Sequence, residues 1–371
     1  MPSRLFAADR SPPATEWLVA DAARSVLRLR ARREVAVADL FLAHDGRLRD
    51  DDRATIAGLL SAIVEATERA LRLHLAGAFA DRPMLAESLA SGRIPIARPI
   101  LERSGSLRDP ALVAALAQRA EEGRVIARLR RARDRGLELE PDPQPALLDM
   151  LTRDAAADVA DAAARLAAAG RDRRDPTGAA LPGAAEFPAE VQHRLVWRVA
   201  AALRDYVVAS HAVEPGSVDP RVAQAAAAVL AGYDEGETLP SLAVALARAL
   251  LAGGRLDDAI VVRALADGEP GLAAAALAVR AGVGVDAAWD MMIDPDVGRL
   301  LLLCRGADLA PPQAADMALR LTDEGDEDAL ADRIEAYGGM TPDRASAALA
   351  LWRIDPVYVD AIAELARGTD R

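Results

Sequence analysis

Residues 256–295 read LDDAIVVRALADGEPGLAAAALAVRAGVGVDAAWDMMIDP and carry the clearest structural pattern of the chain. Apolar residues recur at helical intervals on both sides of Glu269-Pro270, which is typical of two helices joined by a short turn. Similar pairs follow, and their first helices are expected to begin near Leu256, Val285, Pro312 and Pro342, at spacings of 29, 27 and 30 residues. The sequence therefore predicts an internal repeat of helix pairs.

Within each pair an acid, often followed by proline, introduces the second helix. The acid's oxygen can cap the free amides of a helix N-terminus, and proline at the first helical position fixes φ without losing a needed N–H. These signals are Glu269-Pro270, Asp294-Pro295, the run Asp323 to Asp328, and Asp355-Pro356. The same signal at Asp109-Pro110 and Asp219-Pro220 predicts similar hairpins through much of the chain. The predicted fold is all-α, an α-solenoid of antiparallel helix pairs in one or two segments.

Two connectors divide the rest of the chain. Residues 136–145 hold three prolines, and residues 170–188 are rich in Gly, Pro, Arg and Asp with little periodicity. Long helices are predicted from Asp52 to about Phe79 and from Pro188 to about His211. We therefore expect an N-terminal helical domain of residues 1–170, a linker of residues 171–187 and a C-terminal helical-repeat domain of residues 188–371.

The composition excludes several enzyme classes. About a quarter of the residues are Ala, aromatic residues make up 3%, and the chain contains neither Lys nor Asn. Without Lys there is no Schiff-base lysine, no P-loop lysine and no kinase-type ATP lysine. A single cysteine excludes a disulfide framework and a multi-cysteine metal site.

The charge is unevenly distributed along the chain. The net charge is −12, with 29 Arg against 28 acids up to residue 186 and 16 Arg against 29 acids after it. A net-acidic chain repels a polyphosphate at long range, so nucleic-acid binding is disfavoured. We identify no signal peptide near Met1, and no apolar run approaches the roughly 20 residues that span a bilayer. A cytoplasmic protein without a membrane span is expected.

Several segments of the N-terminal half resemble one bacterial family. They are Asp52-Arg53 to Arg72 with Glu68 late in that helix, Arg93 to Leu101 (RIPIARPIL), the residues Ser104, Leu107, Asp109 and Leu112, and Gly123 to Arg128 (GRVIAR). Over about Glu34 to Arg135 the chain resembles the domain-of-unknown-function 2336 family. The resemblance implies HEAT-like helix pairs and supplies no catalytic or binding residues. The chain departs from the family pattern at Gly105, where proline is more usual.

The candidate metal and nucleophile sites are interpreted as structural. His44 precedes acids at 45 and 50–52 that could hold a divalent cation, but consecutive acids at a helix start more often cap the helix. The run Asp323 to Asp328 lacks the ligand spacing of an EF-hand loop. Cys304 lies in an apolar helical run, and Gly282-Val283-Gly284 follows no strand that would make it a phosphate loop. We predict no catalytic residue, metal or cofactor.

One helix carries a stripe of arginines. At about 100° per residue, spacings of 4, 3 and 4 place them on one narrow face of the helix. The stripe consists of Arg124, Arg128, Arg131 and Arg135. Such a stripe can bind carboxylates or phosphates, or it can be an ordinary solvated face balanced by Glu121, Glu122 and Asp134.

These patterns favour a non-enzymatic helical-repeat protein that acts as a scaffold or regulatory adaptor for an unknown protein partner. The alternative is a nucleic-acid-binding HEAT-like protein, including a DNA-repair type, that uses the arginine stripe. An enzyme acting on a small molecule would require an acid–histidine pocket that the sequence does not reveal. The sequence leaves the oligomeric state open.

Overall fold

A computed structural model of the protein describes residues 50–92, 94–134, 145–173, 185–294, 296–322, 327–354 and 358. These residues are mostly helical, and none of them lies in a β-strand, so the predicted all-α class is confirmed. The α-helices are α1 (Asp50–Ala78), α2 (Pro83–Ala90), α3 (Ala97–Ser104), α4 (Pro110–Asp134), α5 (Leu147–Leu151), α6 (Ala157–Asp172), α7 (Ala189–His211), α8 (Pro215–Ala231), α9 (Leu239–Ala252), α10 (Asp258–Ala266), α11 (Pro270–Ala281), α12 (Val285–Met292), α13 (Val297–Gly306), α14 (Pro311–Leu321), α15 (Glu327–Gly338) and α16 (Pro342–Ala348).

The chain forms two compact units. The central unit comprises the described residues of Arg32–Arg124 and Leu148–Leu246. The C-terminal unit comprises the described residues of Val125–Leu147 and Ala247–Arg371.

In the C-terminal unit three of the predicted helix pairs and the first helix of the fourth are present, while the second helix predicted after Asp355-Pro356 lies outside the described residues. Their first helices begin at Asp258, Val285, Pro311 and Pro342, each within two residues of the predicted start. The second helices of the first two pairs are the more deeply buried: nine of the 12 residues of α11 are buried, against three of the nine residues of α10. The small side chains of α11, mostly Ala, allow helices to pack on several of its sides.

The packing of these pairs departs from a strictly linear stack. Helix α13 packs against α11, α12, α14, α15 and α16, so it occupies the centre of the unit. Helices α10 and α14, which belong to the first and third pairs, also pack against each other. In a linear solenoid each repeat contacts only its neighbours. The repeat is therefore regular in sequence, but its helix pairs pack more compactly than those of a linear solenoid.

Helix α13 ends at a point of very close approach. A Cβ atom added at Gly306 would overlap the Cδ1 atom of Leu349 and would lie 3.8 Å from Cβ of Ala281. Leu349 is fully buried. Glycine is therefore the residue type that allows α13 to pack at this point.

The central unit is built on its two long helices. Helix α1 packs against α2, α3, α7 and α8, and α7 packs against α3 and α8. The faces that meet are apolar and include Leu71 and Leu75 of α1, Phe79 immediately after α1, and Val199 and Leu203 of α7. The predicted helices from Asp52 and from Pro188 are confirmed, with observed bounds of Asp50–Ala78 and Ala189–His211.

The two additional acid–proline signals have different outcomes. Asp109 caps α4, since its Oδ1 accepts the amides of Ala111 at 2.9 Å and Leu112 at 3.2 Å. The signal at Asp219-Pro220 is wrong as a helix start, because α8 begins at Pro215 and contains Pro220. Asp219 instead accepts a hydrogen bond from Arg204 at 2.8 Å.

Arginine side chains in the C-terminal unit cap the carboxyl ends of helices. The last carbonyl of α11, from Ala281, accepts hydrogen bonds from Arg353 Nε at 3.2 Å and Nη2 at 2.8 Å. Arg305 Nε donates to the carbonyl of Met340 at 2.6 Å. A guanidinium satisfies carbonyls that lack a partner inside the helix and complements the negative end of the helix dipole.

Residues 174–184 of the predicted linker, 171–187, are outside the described residues. Arg173 and Glu186, near its two ends, form an ion pair with an Nε–Oε2 distance of 2.9 Å. The division into domains of residues 1–170 and 188–371 stays a prediction. Within the described part of the chain, no single helix is long and apolar enough to cross a membrane. Helices α11 and α12 reach the necessary length and hydropathy only when they are taken together, and the angle between them is 116°.

Candidate functional site

The predicted arginine stripe lies on helix α4. Val125 and Leu129 are buried on one side of the helix, while Arg124 and Arg131 are exposed, as the helical spacing predicts. Arg124 is also paired with Glu121 of the same helix, with an Nη2–Oε1 distance of 3.4 Å. Two members of the stripe, Arg124 and Arg131, are therefore accessible on the surface of α4.

The other two members of the stripe are Arg128 and Arg135. Arg128 is half-buried and its Nη1 donates to the carbonyl of Leu321, the last residue of α14. Arg128 therefore caps a helix, which is a structural role that sequence spacing could not reveal. Arg135 lies outside the described residues.

The remaining candidate groups have structural positions or lie outside the description. His44 and the run from Asp323 to Asp326 are outside the described residues, which contain no cluster of three His, Cys, Asp or Glu able to hold a metal. Cys304 is fully buried, as predicted, and burial raises the pKa of its thiol to about 12. Gly282 ends α11 with φ of 68° and Gly284 precedes α12, so these glycines form a turn.

Two of the family-like segments of the N-terminal half, the helix that holds Glu68 and Arg72 and the segment that ends at Leu101, meet at a buried ion pair. Glu68 and Arg72 of α1 are bound at 2.8 Å, and their side chains are 4% and 5% exposed. The Glu68 carboxylate also accepts the backbone amides of Ile96 at 3.0 Å and Ala97 at 2.9 Å. Glu68 thus caps α3 and fixes the RIPIARPIL segment against α1.

Arg72 completes this arrangement on the other side. Its Nε donates to the carbonyl of Leu89 at 2.8 Å, and its Nη2 donates to that of Ser88 at 3.0 Å. Its Nη1 also donates to the carbonyl of Ile94 at 2.9 Å. One buried pair therefore holds the end of α2 and the start of α3 on α1, which gives the sequence motif a structural explanation.

Asp109 forms a second junction of charges, at the start of α4. While Oδ1 caps the helix, Oδ2 accepts hydrogen bonds from Arg194 Nε at 3.0 Å and forms an ion pair with Arg198 Nη1 at 2.8 Å. Both arginines belong to α7. The side chain of Asp109 is 8% exposed, while those of Arg194 and Arg198 are 43% and 31% exposed. The two guanidinium groups therefore converge at the surface on a buried carboxylate.

This environment keeps the Asp109 carboxylate ionised. Burial by itself raises the pKa of Asp109, but the hydrogen bond from the Leu112 amide and the charges of Arg198 and Arg194 outweigh it. The net pKa lies below the ordinary value of 3.8. The stabilisation is therefore fully present above the ordinary pKa and is lost as the pH falls through the lower pKa of the folded state.

We expect Asp109→Asn to lower the free energy of unfolding by about 1–3 kcal/mol at neutral pH, because charge-assisted hydrogen bonds to two arginines are lost. The difference between the two proteins should shrink in acid below the pKa of Asp109, where the wild-type carboxyl is also neutral. Urea unfolding of both proteins at neutral and acid pH measures the difference in their free energy of unfolding. An equal difference at both pH values would contradict this origin.

Trp197 lies between these two arginines on the same helix. It is 38% exposed, and its indole Nε1 donates to Nε2 of His193 at 3.1 Å, which fixes the ring. The helical period places Trp197 on the same face as Arg194, three residues earlier, while Arg198, one residue later, lies about 100° further around the helix. The predicted helix from Pro188 to His211 contained this grouping. Its anchor, Asp109, lies 85 residues from Arg194 in sequence, so sequence periodicity could not reveal it.

A surface depression of about 270 Å³ is lined in part by the loop that precedes Asp109. Its apolar lining comes mainly from leucines of α1, α3 and the loop after α3, and arginines lie at its edge. The lining residues are Ala57, Leu60, Arg98, Leu101, Glu102, Gly105, Leu107 and Arg108. Because Arg108 immediately precedes Asp109, the depression and the junction share one loop.

The fold and these junctions define a class of all-helical proteins in which helix pairs are held together by buried ion pairs and arginine caps. Residues 96–350 match the family model described as an uncharacterised protein conserved in bacteria, DUF2336. The match covers more than half of the chain, and the protein belongs to this family, as the residues of its N-terminal half suggested. Comparison with curated proteins and with solved structures finds no match for the chain.

Proposed function

We propose that this protein is a non-enzymatic helical-repeat protein that acts as a scaffold or regulatory adaptor for a protein partner. The observation that carries the proposal is the series of three helix pairs from Asp258 to Gly338. Repeated helix pairs present broad, continuous surfaces, which suit protein partners better than they suit small ligands. A HEAT-like solenoid remains part of this proposal, modified by the contact between the first and third pairs.

The exposure pattern supports an outward-facing surface. Helix α14, the first helix of the third pair, buries four of its 11 residues, so most of its side chains are at least partly accessible. Helix α13, the second helix of the second pair, buries seven of its ten residues. The first helices therefore offer surface, and the second helices supply the core. Helix α4 adds Arg124 and Arg131, whose positive charge suits an acidic partner surface.

Affinity capture of the tagged full-length protein from its native lysate, with and without nuclease, tests the proposal. Mass spectrometry should identify one near-stoichiometric protein that survives nuclease treatment. Loss of the captured material with nuclease would instead favour the nucleic-acid alternative. The absence of any specific protein in both samples would contradict the scaffold role.

Once a partner is identified, Arg124→Glu combined with Arg131→Glu should weaken its binding by about tenfold or more, because like charges then face each other. The change spares Arg128, whose cap on α14 would be lost by substitution. Arg153→Glu combined with Arg171→Glu is the matched control, since both residues are exposed and the net charge changes equally. Equal affinity of the two double variants for the partner in a titration would show that the arginine stripe does not contact it.

A further inference from the structure

We propose that Trp197, Arg194 and Arg198, anchored on Asp109, form a docking site for an acidic segment of a protein partner that also carries large apolar side chains. The proposal rests on the interaction role proposed above and adds a second surface to it. These four residues are called the Trp–Arg site. All of them belong to the central unit.

The first argument is the chemistry of the exposed side chains. Tryptophan and arginine are the residue types most enriched among the side chains that dominate protein–protein binding energy. Here an exposed Trp lies on one helix with two partly exposed arginines. A large aromatic surface beside two guanidinium groups can cover an apolar side chain and bind a carboxylate at the same time.

The second argument is that these side chains are already fixed. Trp197 is held by His193, and both arginines are held by one oxygen of Asp109. Binding therefore costs less side-chain entropy than it would with freely rotating side chains. Each arginine uses a single nitrogen in its bond to Asp109, so its fork keeps further N–H groups that can donate to an incoming carboxylate.

The third argument is the balance of charge. One carboxylate, Asp109, faces two guanidinium groups and also interacts with the positive end of α4, so the site keeps a net positive charge. A short acidic segment complements this local charge. A long polyphosphate would meet the net charge of −12 of the whole chain.

The fourth argument is the apolar depression that begins at Arg108. Its floor of Leu60, Leu101 and Leu107 can take a large apolar side chain. Its volume of about 270 Å³ lies near the lower end of the range for small-molecule pockets, which suits a single side chain better than a cofactor. A segment with an acid next to a leucine or phenylalanine therefore matches both features of the surface.

The test uses the full-length protein and a short fluorescein-labelled peptide in which Glu and Leu alternate. Fluorescence anisotropy should show saturable binding to the wild type. Arg194→Gln and Trp197→Ala should each weaken binding by about tenfold or more. Arg165→Gln is the matched control, because Arg165 is an exposed arginine of the same unit that is also paired with an acid, Glu237, and it should bind like the wild type.

Three results would contradict the proposed docking site. They are the absence of saturable binding, equal binding by Arg194→Gln and the wild type, and equal binding of a peptide with Gln in place of Glu. Tighter binding of a labelled oligothymidylate than of the acidic peptide would assign the surface to nucleic acid instead. Failure here is distinguishable from failure of the scaffold role, because affinity capture of a partner by the wild type would still succeed.

Discussion

Glu68→Ala is expected to lower the free energy of unfolding of the central unit by about 3–5 kcal/mol. The substitution leaves the guanidinium of Arg72 buried without its counter-charge. It also removes the acceptor for the amides of Ile96 and Ala97, so α3 loses its cap. Urea unfolding followed by circular dichroism measures the change, and far-ultraviolet spectra of the folded variants verify that they remain helical.

Glu102→Ala provides the matched control for this prediction. Glu102 pairs with Arg98 at the same four-residue spacing, at 2.7 Å, but the two side chains are 52% and 40% exposed. Solvent screens an exposed pair, and its loss should cost less than about 1 kcal/mol. Equal effects of the two substitutions would show that burial does not determine the contribution of Glu68.

Gly306→Ala is expected to destabilise the C-terminal unit by about 1–3 kcal/mol, although alanine is the better helix former. The new methyl group overlaps the Cδ1 atom of Leu349, which is fully buried, so this side chain has to shift within the core. Gly271→Ala is the control, because a Cβ atom there meets no atom within 4 Å. That variant should be as stable as the wild type or more stable by up to about 1 kcal/mol.

A double substitution tests the mechanism of this effect. Leu349→Ala removes the atom that the new methyl group overlaps, so it should cost less stability in the Gly306→Ala background than in the wild type. Thermal or urea unfolding of the four proteins gives the coupling energy. Strict additivity of the two substitutions would mean that the destabilisation by Gly306→Ala arises elsewhere.

The sequence predicts local features of this fold well, because their signals are local. The helix starts at Val285 and Pro342 coincide with the predictions, since periodicity and capping act over a few residues. Pro220 shows the limit of a local signal: Pro215 supplies an earlier start, and α8 incorporates the second proline near its N-terminus. A proline near a helix start sacrifices few intrahelical hydrogen bonds, so both starts were compatible with local rules.

The candidate binding surfaces depend on contacts that one sequence cannot reveal. Helical spacing correctly placed Arg124 and Arg131 on an exposed face of α4. It gave no indication that Arg128 caps α14, because its acceptor, Leu321, lies 193 residues away. The same holds for Asp109 and the arginines of α7. Spacing along one helix defines which side chains share a face, but only the tertiary fold determines which of them are already engaged.

The cap that Arg353 places on α11 affects how a shortened protein should be designed. The family match ends at residue 350, and Arg353 lies beyond that end while binding a carbonyl 72 residues earlier in the chain. A fragment trimmed to the matched residues would therefore expose the carboxyl end of a helix that is otherwise buried on most of its surface. For expression or crystallisation, the fragment should therefore include Arg353 and not end at the last residue of the family match.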